Sequence, residues 1–449
     1  MAIGTFRGGI HPYDGKELSR HTRIRTVVPH SDIVVFPLKQ HMGRPAVPVV
    51  APGDPVLTGQ RIAKADGEFS ADLHASVSGV VTAIRDFHVA GGGTERSIII
   101  RNDGRFSEIP YPEPRRFEEL TDAVIIRAVK QAGIVGMGGA GLPSHIKLSP
   151  EHPEQIDYVI ANCVECEPYM TSDYRRMVEN PGKLINGLRI VLKVFPRARG
   201  ILAIDEQLRD VIRELRSITR DDPRIYVKRV QTKYPQGSER QLIYAVTGRT
   251  LNGKMLPSDI GCIVHNVDTL VAVNQAVMLY EPLLTRLITV SGDCVAKPGN
   301  FRVRIGMSYD ELIERAGGFV REPALILDGG TMTGRRIRDL HVPVTKMSSQ
   351  IVALSRDRAE VMRETACSRC ARCVEACPNH LVPIQLLRDA ERQNEDAFIT
   401  HNGLECCQCQ SCSYICPSKL PLSLRITEMR ESIVSRPEKA GDYSRRLFG

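Results

Sequence analysis

The chain has 449 residues, 42% hydrophobic and 25% charged, with a formal net charge of +8. That length exceeds a single core and predicts about two to four domains, and the ordinary composition excludes a disordered or low-complexity chain. The charge is mild and its arginines are scattered, without the basic–aromatic stripes of a nucleic-acid binder, so an acidic redox partner or an anionic membrane surface fits it better.

Met1 to Arg7 lacks the long apolar core of a signal peptide, and no stretch approaches the roughly 18–20 apolar residues that cross a bilayer. The expectation is a cytoplasmic chain that reaches a membrane only through other subunits or a surface patch.

Residues 1–112 are rich in Pro, Gly and short β-branched runs such as Asp32-Ile33-Val34-Val35-Phe36, which predicts small strands and tight turns. Gly53-Asp54-Pro55-Val56 followed by His74-Ala75-Ser76-Val77-Ser78-Gly79 resembles a barrel-sandwich of the biotinyl/lipoyl kind. Its hairpin carries Asp66-Gly67-Glu68 where such a carrier needs a lysine, with Lys64 only nearby, so the domain is expected to be structural. Residues 113–283 alternate helix and strand patterns: a helix from Val124 to Ala132, strands at Tyr158–Ala161 and Gly200–Ile204, and a helix from Leu184 to Val194. That alternation predicts α/β structure with a largely parallel sheet. Residues 284–342 read as a small β-grasp with a helix from Tyr309 to Ala316 that stops at Gly317-Gly318. Residues 343–432 read as a helical domain with cysteine loops, and 433–449 as a loose polar tail.

Nine of the thirteen cysteines lie between Cys367 and Cys416. In a long chain without a signal peptide, clustered cysteines point to metal rather than disulfides. Cys367, Cys370, Cys373 and Cys377-Pro378 form one C-x2-C-x2-C-x3-C-P run. Cys406, Cys409, Cys412 and Cys416-Pro417 form a second. Zinc also binds C-x2-C pairs, but two such four-cysteine runs match a pair of [4Fe–4S] clusters. In two-cluster ferredoxins the fourth cysteine crosses over. One cluster then takes Cys367, Cys370, Cys373 and Cys416, and the other takes Cys406, Cys409, Cys412 and Cys377. Cys407 is out of register and reads as a spare buried thiol, and His401 as a surface histidine.

Gly133 to Lys147 is glycine-rich, and glycines let backbone approach a phosphate while a lysine adds charge. It is neither a Rossmann fingerprint nor a P-loop, and a plain surface turn is the alternative. Farther on comes Asn162-Cys163-Val164-Glu165-Cys166-Glu167-Pro168, then Tyr234-Pro235-Gln236-Gly237-Ser238-Glu239 and His265-Asn266-Val267-Asp268-Thr269-Leu270. In order and content these four segments resemble the flavoprotein subunit of complex I, with its G-x-x-G-x-G-G-A-G-F-P-T and N-A-D-E-G-E-P patterns. Phe6-Arg7-Gly8-Gly9-Ile10-His11-Pro12 and Gln40-His41-Met42-Gly43 narrow the resemblance to the RnfC family, which supplies one component of the Rnf complex, a membrane-bound, ion-translocating ferredoxin:NAD oxidoreductase. It covers about residues 5–430.

The resemblance implies FMN and NAD(H) beside the two clusters. Gly136, Gly138, Gly139, Gly141 and Lys147 would cradle FMN, Asn162 and Glu165 would touch the flavin, and Asn266 and Thr269 would close the phosphate side. Glu167 and Glu239, with Gly237 in the same loop, would face the nicotinamide nucleotide. It further implies the other Rnf subunits as partners, ferredoxin or flavodoxin reached indirectly, and a peripheral place on the cytoplasmic face of the bacterial inner membrane. Val164 stands where the family has aspartate, Leu142 where it has an aromatic, and Cys163 and Cys166 flank Glu165 in place of small residues. Surface salt bridges are the alternative for Glu165 and Glu167, and core packing for Cys163, Cys166, Cys262 and Cys294. Two other functions share these parts: a cluster-carrying docking subunit without flavin, and a cobalamin-reducing flavoprotein, in which the barrel-sandwich follows the clusters.

Overall fold

The computed structural model describes residues 3–356 and 363–436. Most of the expected tail, residues 437–449, lies outside them. Among the described residues no helix is long and apolar enough to cross a membrane.

Near the N-terminus an antiparallel sheet runs in the order Ile33–Pro37, Thr94–Asn102, Gly79–His88, Pro55–Val56. A second sheet pairs Val47–Pro48, Arg61–Lys64 and Leu73–His74. Alternating apolar residues from both, among them Val34, Phe36, Ile62, Leu73, Val81 and Ile98, share one core, which is the sandwich the sequence implies. The Asp66-Gly67-Glu68 hairpin tip is exposed, and Gly67 takes the left-handed backbone such a turn needs.

The central sheet is fully parallel in the order Ile225–Val230, Arg199–Asp205, Tyr158–Cys163, Cys262–Asn266. Its strands are near-continuous apolar runs because helices cover both faces. Pro181–Val194 and Val267–Leu279 pack on one side, and Glu239–Thr247 lies on the other through Leu242, Ile243 and Val246. All four strands therefore end at one edge, where ligands of open α/β sheets bind.

The β-grasp is larger than the expected 284–342. Its six-stranded sheet runs Arg25–Val27, Gly299–Arg304, Thr285–Ser291, Gln350–Leu354, Leu325–Asp328, Arg335–Arg336. The outer strand Arg25–Val27 comes from the N-terminal segment. Gln350–Leu354, expected in the helical region, is a strand held between Thr285–Ser291 and Leu325–Asp328. A run buried on both faces carries no alternation, so its period alone does not separate strand from helix. Helix Tyr309–Arg315 fills the sheet's inner face through Leu312 and Ile313.

Lys346, 1% exposed, joins three of these units. Its Nζ donates to the carbonyls of Asp72 and Gly133, both at 2.6 Å, and its backbone N–H donates to Gln40 Oε1 at 2.9 Å. Burial pulls its pKa down to about 7. Lys346→Met leaves two buried carbonyls without this donor and is expected to cost about 2–4 kcal/mol in denaturant unfolding.

Candidate cofactor cleft and cysteine-lined cavity

The glycine loop is a closed turn between helix Asp122–Gln131 and the short helix Ser144–Lys147. Gly136 N–H donates to Leu142 O at 2.8 Å, and Met137 N–H donates to Thr269 Oγ1 at 3.0 Å. A β-carbon on Gly138 would lie 2.8 Å from Asn266 Cβ, and one on Gly139 would meet nothing within 4 Å. The loop is thus pressed against Asn266 on one side and open at Gly139. Gly141 has φ +74 and packs on Met347.

Asn266 caps helix Val267–Leu279 by accepting from Asp268 N–H at 2.8 Å, and its Nδ2 donates to Asp173 Oδ2 at 2.6 Å. Asp173 N–H in turn donates to Glu165 Oε1 at 2.7 Å. Lys16, from the N-terminal segment, donates to the Glu165 carbonyl and lies 3.8 Å from its carboxylate. Burial pushes the Glu165 carboxyl up, against the pull of Lys16. Burial, then Glu165 and Asp268, push Asp173 up to about 7. Asn162 Nδ2 donates to Gly237 O at 2.8 Å, fixing that loop to the strand end.

A cleft of about 300 Å³ opens at the carboxyl edge of the parallel sheet, at the lower end of the range of ligand sites. Glu165, Cys166, Tyr174, Lys233 and Tyr234 line it, together with Lys16 and Arg20 from the N-terminal segment. Of the residues expected from sequence, Glu165 alone lines this cleft. The glycine loop, Asn266 and Thr269 stand behind Asp173. Lys147 is drawn into a pair with Glu239 at 3.0 Å and also donates to Val264 O. Glu167 accepts from Met332 N–H at 2.7 Å and Thr333 Oγ1 at 3.2 Å, so the loop after Leu325–Asp328 covers it. Lys16, Arg20 and Asp173 were not foreseen, and Tyr234 stood in the Tyr234–Glu239 segment without a role of its own. The only signal for the first two was their closeness to the Phe6–Pro12 motif, and Asp173 and Tyr234 enter by tertiary packing.

Three polar side chains beside these loops have buried atoms without partners among the described residues: Ser144 after the glycine loop, His265 before Asn266, and Gln236 before Gly237. Gln236 is 0% exposed with both amide atoms orphaned. Buried polar atoms of this kind are costly unless a ligand or water meets them, so the donor set fits a polar cofactor.

In the C-terminal domain the two cysteine runs fold alike. Arg369, Ala371 and His380 have positive φ after the first run begins, and Gln408, Gln410 and Lys419 repeat them at the same interval as the cysteines. Arg369 N–H and Gln408 N–H each donate to the sulfur two residues back, Cys367 and Cys406, at 3.4 Å. A small cavity is lined by Cys377 of the first run together with Cys406, Cys409 and Cys412 of the second. Cys373 and Cys416 are electrostatic neighbours, and Cys367 and Cys370 are exposed. Cys407 also lines the cavity and is hydrogen-bonded to Cys409. His401 is paired with Asp389 at 2.6 Å.

No group of three or more His, Cys, Asp or Glu among the described residues is set to hold a single metal ion. Around a cubane each thiolate binds a different iron, so the sulfurs stand farther apart than ligands of one ion, and the two observations agree. Burial pushes Cys406 up to about 11 and Cys412 higher still; such thiols ionise when a metal replaces the proton. The donor set fits iron–sulfur groups. Cys163, Cys262 and Cys294 are fully buried core residues.

Three family models match in order: the RnfC barrel sandwich hybrid domain over residues 4–105, the Nuo51 FMN-binding domain over 129–275 and the SLBB domain over 287–336. Together they define a protein of the complex I flavoprotein type with an added barrel-sandwich. Over 385 residues the chain is 39% identical to the C component of the proton-translocating ferredoxin:NAD(+) oxidoreductase complex of Clostridium ljungdahlii, covering 86% of this chain and 84% of that one. It is 36% identical to the C component of the Na(+)-translocating complex of Acetobacterium woodii, with 90% and 91% covered. To the C component of the ion-translocating oxidoreductase complex of Rhodobacter capsulatus it is 38% identical, with 85% and 74% covered. The chain belongs to the RnfC family of Rnf-complex subunits.

The raised pKa of Asp173 makes stability pH-dependent. A folded-state carboxyl above its ordinary value favours the protonated fold, so stability falls as pH rises from about 4 to about 7 and is then level. Asp173→Asn is expected to flatten that fall in thermal melts recorded across this window.

Proposed function

We propose that the chain is the peripheral electron-transfer subunit of an Rnf-type complex, exchanging electrons among NAD(H), FMN and two [4Fe–4S] clusters, while partner subunits couple that flow to ion transport. The observation that carries this reading is the crosswise cavity, in which Cys377 of the first run joins Cys406, Cys409 and Cys412 of the second. That grouping is what two interleaved cubanes require. Cys367, Cys370, Cys373 and Cys416 would hold the other cluster.

When bound, FMN converts between two-electron hydride chemistry and single electrons. The residues of this chain supply position and charge. Gly136, Gly138, Gly139 and Gly141 keep the loop low enough for backbone N–H groups to meet a phosphate, with Lys147 and Thr269 behind it. Asn162 ties the Gly237 loop to the strand end, and Glu165, held by Asp173 N–H, would set the charge along the cleft. Glu167 and Glu239 lie toward the nucleotide side. Hydride transfer needs no acid or base from these side chains. With no spanning helix among the described residues, attachment to the cytoplasmic face of the membrane would come through partner subunits.

Anaerobic purification tests this directly. The expected yield is about eight irons and one FMN per chain, with flavin and cluster absorbance bleaching on NADH. Cys409→Ala is expected to lose about four of those irons. Full iron without flavin or bleaching leaves a cluster-carrying docking subunit and sinks the catalytic reading.

A further inference from the structure

The Phe6–Pro12 motif has no catalytic residue type that the proposed function uses, yet it sits where the molecule's parts converge. Ile10 N–H donates to Tyr234 O at 2.8 Å and Tyr234 N–H returns to Ile10 O at 2.9 Å. Gly9 N–H donates to Ala376 O, within the first cysteine run, at 3.0 Å. Gly8 has φ +89, and a β-carbon there would lie 2.8 Å from Cys377 O. Gly9 has φ +85, and one there would lie 2.7 Å from Tyr234 O. Both glycines are needed for a strap squeezed between the cofactor domain and the cysteine domain. Lys233 closes it by donating to the carbonyls of Phe6 and Gly8.

Beneath the strap, Ile10, Tyr234, Met332 and Ala376 form a small buried core, with Cys166, Cys409 and Ile415 packed against it. Tyr234 is 3% exposed. It lines the cofactor cleft beside Cys166, while Cys409 of the crosswise cavity packs against the same small core and is an electrostatic neighbour of Tyr234. Cys367 and Cys370 lie on the exposed outside. A small core that includes Tyr234 therefore connects the cleft with one particular set of four cysteines.

We propose that Tyr234, held by the Gly8–Ile10 strap and backed by Cys166, is the positioning residue that couples the cofactor cleft to the cluster of Cys377, Cys406, Cys409 and Cys412. That cluster is then the one that exchanges electrons with the flavin, and the Cys367 cluster is the outer one. This rests on the proposed function. Two electrons arriving as hydride from NADH leave singly, each reducing one cluster by one electron. The hydride's proton and the one taken up from water return to solvent. Tyr234 keeps its hydrogen throughout and supplies packed contact, not a redox step.

The test uses the full chain with its clusters. Cys412→Ser and Cys370→Ser first identify, by the change each makes, which electron paramagnetic resonance signal belongs to which cluster. In rapid freeze-quench after NADH, the signal altered by Cys412→Ser is expected to appear first. Tyr234→Leu is expected to slow its appearance, counted per bound and bleached flavin, by about tenfold or more; Tyr234→Phe, which keeps the ring, should restore the rate. Redox titration with dithionite, which needs no flavin, is expected to show the potential of that cluster shifted in Tyr234→Leu and the other unmoved. First appearance of the Cys370-sensitive signal, an unchanged rate in Tyr234→Leu, or equal shifts of both potentials would overturn the proposal. Absence of flavin from the parent chain would instead refute the proposed function, and the titration would still decide whether Tyr234 acts on that one cluster.

Discussion

The architecture turns on one buried charge. Asp268, 6% exposed in the first turn of its helix, accepts from Arg176 at 2.6 Å and from Arg286 at 2.5 Å. Burial works to raise its pKa, and the two guanidinium groups hold it below the ordinary value instead. The three residues come from different places: the helix after the glutamate loop, the helix capped by Asn266, and the β-grasp strand Thr285–Ser291. Arg286 also reaches the Met137 carbonyl in the glycine loop at 3.4 Å. Removing any partner would strand an uncompensated buried charge, so the relative placement of loop, cleft and β-grasp is enforced electrostatically rather than by shape alone.

The same logic of enforced placement explains the N-terminal segment. It leaves a parallel edge strand on the β-grasp through Arg25–Val27, places Lys16 on Glu165, and passes the strap under the cysteine domain. A segment shared among three units cannot move with any one of them. The cofactor cleft is therefore walled partly by residues far from it in sequence, and its charge combines Glu165 with Lys16 and Arg20.

Much of the fold was legible in the sequence because its signals are local. Apolar runs separated by helical periods gave the parallel sheet, and cysteine spacing with Cys-Pro stops marked the repeated loops. Gln350–Leu354 escaped because a strand buried on both faces has no alternation to read. Asp173 and Tyr234 escaped for another reason: each is ordinary in its own segment, and acquires its role only when Asn266, Ile10 or Cys409 is brought against it. Lys147 and Glu239 stood out in the sequence separately, but not as partners of each other.

The twin cysteine loops carry one further meaning. Matching left-handed residues in both runs show that the second loop is a structural copy of the first, so the backbone alone offers two equivalent nests. Whatever distinguishes them must come from outside the repeat. Strap, Tyr234 and the cofactor domain cover one nest, and solvent reaches Cys367 and Cys370 of the other. A duplicated element thus gains an inside and an outside from its asymmetric surroundings, one nest fixed by packing and the other open to solvent at Cys367 and Cys370.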